Sequence, residues 1–122
     1  MAATASIQIT GTISSTPAGG RTIGPITLTS AAASGVVTQV VLANGTNTIT
    51  VPSDIATSGC VIQLPSTNTA ATTLKGVAGD TGVSIGKTGA TLLSWDSTAA
   101  PSSFVLTSAS AQTGKVTEII WF

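Results

Sequence analysis

Turn-forming residues punctuate this chain about every 8 to 12 positions, and the runs between them are short and largely alternate apolar with polar side chains. No long stretch keeps the 3.6-residue period that lets a helix bury one face. The chain must therefore bury itself as many short strands. Ala5 to Ser14 sets the pattern, with Ile7, Ile9 and Ile13 on one side and Ser6, Gln8, Thr10 and Thr12 on the other. Thr22 to Thr29 follows. Its apolar register shifts around Gly24-Pro25, which predicts a bulge or an edge position.

Further strands are expected at Val36 to Ala43, Thr46 to Val51, Cys60 to Leu64, Thr72 to Val77 and Val83 to Lys87. Ala90 to Trp95, Ser103 to Thr107 and Lys115 to Phe122 complete the set. Val36 to Ala43 is apolar on both faces and reads as a central, doubly covered strand. Asn44-Gly45 reads as a two-residue hairpin turn with both residues at positive φ. Thr88-Gly89 reads as a second tight turn, joining its neighbours as a two-strand hairpin. The stretches 30–35, 52–59 and 96–102 are long enough to cross between two sheets, the middle one with room for a helical turn capped by Ser53. The fold class expected is all-β: an antiparallel β-sandwich, of jelly-roll form, in one domain over residues 1–122.

Composition narrows the chemistry. Four basic and four acidic residues, no histidine, no tyrosine and one cysteine leave little for acid–base or nucleophilic catalysis. Zero formal net charge offers no basic patch to neutralise phosphates, so no nucleic-acid partner is expected. No run approaches the roughly 20 apolar residues of a membrane helix, and the first residues lack the basic and apolar regions of a signal peptide. A protein with so few charges is poorly protected against association, which favours life in an assembly.

The apparent motifs fail on their chemistry. Gly82-Val-Ser-Ile-Gly86-Lys87-Thr88 resembles a phosphate-binding loop but is one residue short and precedes a strand rather than a helix. Asp80 in Gly-Asp-Thr-Gly lacks the second aspartate that an aspartic protease needs. It reads as a turn residue bonding its own backbone. The carboxylates are too scattered for a metal site. Cys60 sits in an apolar run without an electropositive neighbour, as a core residue would. Asn44-Gly45-Thr46 matches a glycosylation acceptor only formally, and the threonine rows lack the fixed period of an ice-binding array. No catalytic residue, cofactor site or metal site is expected. The two bulkiest apolar residues at the end, Trp121 and Phe122, must be covered by the core or by another subunit. Arg21 and Glu118 are the candidate polar contacts of such an interface.

Three stretches carry a resemblance: Ala43-Asn-Gly-Thr-Asn-Thr-Ile-Thr-Val-Pro52, Leu74-Lys-Gly-Val-Ala-Gly-Asp-Thr-Gly-Val83 and Glu118-Ile-Ile-Trp-Phe122. In layout the chain resembles the small β-sandwich and jelly-roll virion proteins of tailed bacteriophages. The resemblance implies a non-enzymatic protein made in the host cytoplasm and carried on the virion. Its expected role is capsid decoration or cement, with a tail or fibre module in host attachment as the alternative. The expected partners are copies of itself, as a small homo-oligomer such as a trimer, and the major capsid protein. No membrane partner is expected.

Overall fold

The structure, a computed structural model, describes residues 5–13, 20–30, 36–53 and 57–122. Among the described residues, strands β1 (Ala5–Ile13) and β2 (Arg21–Ser30) pair only with each other. The rest is two four-stranded antiparallel sheets. Sheet I contains β3 (Val36–Val40), β10 (Thr117–Trp121), β5 (Gly59–Leu64) and β8 (Gly89–Ser94), in that order. Sheet II contains β4 (Gly45–Thr50), β9 (Ser103–Ser108), β6 (Thr72–Lys75) and β7 (Val83–Ile85), in that order. The only helical element among the described residues is a single 3-10 turn at Ser97–Ala99.

The pairings make this a jelly roll. β3 pairs with β10, β4 with β9, β5 with β8 and β6 with β7, all antiparallel. The chain is thus one long double strand, turned back at the β6–β7 connection and wrapped into two sheets. The lateral ladders β10–β5 and β6–β9 lock the wrap.

Alternation explains the core. In sheet I, Trp121, Cys60 and Leu93 form one inward row, and Ile119 with Ile62 dominates the next. In sheet II, Ile49 lies opposite Phe104, and Leu106 opposite Leu74. With Leu42, Val51 and Leu64 these residues form one apolar cluster between the sheets. Pro52 follows Val51, a core residue just past the end of β4, and Pro65 follows Leu64, the last residue of β5, where a missing N–H costs no ladder bond.

The expected bulge lies where the pattern placed it. The β1–β2 register slips between Ile9 and Gly11, so that Gly24 and Pro25 face Thr10 alone. Three expectations are corrected. Asn44-Gly45 is not a hairpin turn, because β3 and β4 belong to different sheets. Gly45 has φ +93°, but no described residue other than glycine has positive φ. Here the chain steps between sheets, plugging Leu42 into the core on the way. Asn47 shapes that step: its Oδ1 accepts from Ala43 N at 2.9 Å, and its Nδ2 donates to the carbonyls of Ala43, Gly45 and Leu106 at 2.9, 3.1 and 3.1 Å.

β7 and β8 likewise lie in different sheets, so Thr88-Gly89 ends a crossover rather than closing a hairpin. The true hairpin turn of the sandwich is the glycine-spaced stretch 76–82. Asp80 closes it by accepting from Val77 N at 3.0 Å, while Asp80 N donates to Val77 O at 3.1 Å. Finally, β3 is an edge strand, with Val37 51% exposed rather than covered. The capped turn expected at Ser53 runs into residues 54–56, outside the described ones.

Candidate functional site

The candidate interface residues separate into two groups. Trp121 and Phe122 are 1% and 2% exposed, so both side chains belong to the core and are closed to a partner. Of the two coverings the sequence left open, the domain's own core is the one the structure has. Trp121 contacts Trp95 and Phe104 at ring-centroid distances of 6.3 and 6.0 Å, in tilted geometries that aromatic pairs favour. Phe122 continues the ladder beyond β10, donating to Gly59 O at 3.1 Å and accepting from Gly59 N at 3.2 Å.

Glu118 stands on the outer face of sheet I. It accepts from Gln39 Nε2 at 3.1 Å and lies opposite Gln63 on its other side. Arg21 lies on β2, and its side chain is outside the described residues.

Cross-strand register, invisible in the sequence, reveals the surface that Glu118 belongs to. Val37, Ile120, Val61 and Leu92 sit directly opposite one another across all four strands of sheet I, on its outer side. The next outward row is Gln39, Glu118, Gln63 and Ala90. The face is therefore an apolar row beside an amide–carboxylate row, with one charge in the two. Sheet II presents different chemistry. The residues in outward register are Thr46, Thr107, Thr73 and Ser84, then Thr48, Val105 and Lys75, of which Thr46, Thr48 and Ser84 are exposed while Val105 is buried. Hydroxyl-rich strand faces suit water, whereas an apolar row is what an antiparallel sheet normally turns to a core.

A second feature is an apolar groove of about 580 Å³ where the sandwich opens between edge strands β7 and β8. Leu74, Leu93, Trp95 and Phe104 form its floor, with Val83, Lys75 and Asp80 on the rim. Trp95 is fixed there by its Nε1, which donates to Thr57 O at 2.9 Å.

The residues singled out for chemistry hold structure together. Burial pushes the Cys60 thiol up to about 12, which keeps it protonated and unreactive near neutral pH. Lys87 lies in the β7–β8 connection, which leads into a strand, and its carbonyl accepts from Asn68 Nδ2 at 2.7 Å. Asn68 is buried and also bonds Ala70 through both ends of its amide, at 3.1 and 3.0 Å. It ties the β5–β6 loop to the β7–β8 connection. In the sequence it reads as one more polar loop residue among Ser66, Thr67 and Thr69.

No protein-family model, curated protein or solved structure matches the chain. Function must therefore be argued from the surfaces.

Proposed function

We propose that this chain is a non-enzymatic virion structural protein that decorates an assembled capsid and cements it. The observation that carries the reading is the outer face of sheet I, with an uncharged apolar row that its own core does not use. A surface of this kind gains from being covered by protein. The resemblance of the chain to small phage virion proteins supplies the setting: synthesis in the host cytoplasm, then residence on the particle as a small homo-oligomer, a trimer in this reading. The mechanism is mass action. A protein that binds only the assembled shell stabilises it by RT ln(1 + [L]/Kd), about 2.7 kcal/mol per site at a hundredfold excess over Kd. No cofactor enters this mechanism.

The groove beside Trp95 favours one second reading, a tail or fibre module in host attachment. An aromatic floor with a lysine and an aspartate on the rim suits a small ligand that stacks and hydrogen-bonds. Copy number in purified particles tests the two. Decoration requires a copy number that scales with the major capsid protein, whereas a tail or fibre part would be present in few copies. A gene beside that of the major capsid protein, rather than among tail genes, would agree with the first reading.

A further inference from the structure

The step between β3 and β4 carries a reactive pair of residues. The chain has three asparagines, Asn44, Asn47 and Asn68. Two are locked in place. Asn47 holds Ala43, Gly45 and Leu106 through four hydrogen bonds, and Asn68 is buried and bonded to Ala70 and Lys87. Each is followed by a threonine, whose branched side chain crowds the backbone nitrogen next to the amide. Asn44 differs on every count. It is exposed and is followed by Gly45. Among the described residues, the side-chain hydrogen bonds of this step all come from Asn47.

Gly45 has φ +93° and nothing within 4 Å of a would-be Cβ, so that side of the residue is open. It is also the first rung of the β4–β9 ladder, opposite Ser108, at the end where a ladder frays. A nucleophilic nitrogen and an unbonded amide carbon are thus neighbours on an accessible edge.

We propose that Asn44 is a self-modification site, at which the folded chain converts its own amide to an aspartyl or isoaspartyl residue. The Gly45 nitrogen gives its proton to solvent and attacks Asn44 Cγ. The N–Cγ bond forms, the bond from Cγ to the amide nitrogen breaks, and ammonia leaves with a proton from solvent. Water then opens the succinimide ring at either carbonyl. One water enters and one ammonia leaves, with no oxidant or reductant.

The isoaspartyl product puts an extra carbon into the main chain between Ala43 and Gly45. Asn47 grips that same stretch from both ends, at Ala43 N and O and at Gly45 O. Leu42, fully buried, is anchored just before it. Lengthening the chain inside this brace loosens the crossing between the sheets. The site and its effect do not depend on what the protein binds.

Incubating the full, folded chain at mildly alkaline pH tests the proposal, read by intact mass and peptide mapping. Conversion is expected at Asn44 and at neither Asn47 nor Asn68. Gly45→Ala should slow it about tenfold or more, because intramolecular attack depends on unhindered approach. If that variant fails to fold, Asn44→Gln serves in its place, since its longer side chain must close a larger ring. The isoaspartyl fraction should melt below the unmodified chain, whereas fresh Asn44→Asp should melt with it. A folded chain that keeps its Asn44 amide while the urea-unfolded chain loses it would show that the Ser108 rung protects the site, and would overturn the proposal. Conversion of Asn47 or Asn68 at the same rate, or no slowing in either variant, would overturn it too. An isoaspartyl fraction that melts with the unmodified chain would overturn the effect on the brace.

Discussion

The indole Nε1 of Trp121 donates to the hydroxyl of Thr38 at 2.9 Å, bonding the ring of a central strand to the edge strand β3. The ring is otherwise enclosed by apolar neighbours, so this bond satisfies its one polar atom. Trp121→Ala should cost about 3–5 kcal/mol in urea unfolding. Thr38→Val, which removes the acceptor but keeps the shape, should cost about 1–3 kcal/mol. A Trp121→Ala protein as stable as the wild type would place the ring outside the core.

Two glycines separate backbone conformation from space. At Gly45 nothing lies within 4 Å of a would-be Cβ, but φ is +93°. Gly45→Ala should therefore cost about 1 kcal/mol through backbone strain alone. Asn44→Ala should change little, because Asn44 does not share the positive φ that a two-residue hairpin would require. At Gly59 a Cβ would collide with the Leu93 carbonyl oxygen and lie 2.7 Å from Phe122 Cζ. Gly59→Ala should cost about 3 kcal/mol or prevent folding, as overpacking against a fixed backbone does. Melting of the three variants checks the order Gly59 > Gly45 > Asn44.

Asn68→Leu leaves the Ala70 N–H and the Lys87 carbonyl without their side-chain partner, and the Ala70 carbonyl with only the 3.4 Å bond from Thr72 Oγ1. The expected loss is about 3 kcal/mol, since each abandoned buried group costs about 1–3 kcal/mol. Faster amide exchange should appear on both sides of the broken tie, around residue 70 and around residue 88.

The Asp96 carboxylate caps the turn at Ser97–Ala99, accepting from Thr98 N at 3.0 Å and from Thr98 Oγ1 at 2.8 Å. These bonds, the backbone one first, hold it below the usual aspartate range. Folding weakens its hold on the proton. Its contribution is therefore complete above the ordinary aspartate pKa and fades as pH falls through that value to the lowered one. An NMR titration should place its midpoint below that of a model aspartate, and Thr98→Ala should move it part of the way back.

Cys60 should resist thiol reagents in the native state and react at a rate set by opening of the sandwich, because burial keeps it a thiol. Labelling that follows the denaturant dependence of unfolding checks this. Fast native labelling at pH 8 would contradict the inward row it shares with Trp121.

The strands were legible because alternation is local: Ile119 and Trp121, or Cys60, Ile62 and Leu64, reveal their inward face from sequence alone. Which sheet each strand joins was not legible in the same way. Period two reports a face, not a partner, so Asn44-Gly45 looked like a hairpin when the chain was crossing between sheets. The row from Val37 to Leu92 was hidden for the same reason. Its four members are brought together by pairings between distant segments, and each alone is an ordinary strand residue. Val36 to Ala43 did show more apolar surface than one core needs, but as an edge strand rather than a buried one.

The central claim is that this chain acts by covering and being covered, not by chemistry. Co-sedimentation with assembled shells lacking it tests that claim most directly. The account predicts saturable binding at a fixed ratio to the major capsid protein and a higher temperature of shell disruption. A chain that stays in the supernatant at every concentration, and leaves shell stability unchanged, would contradict it.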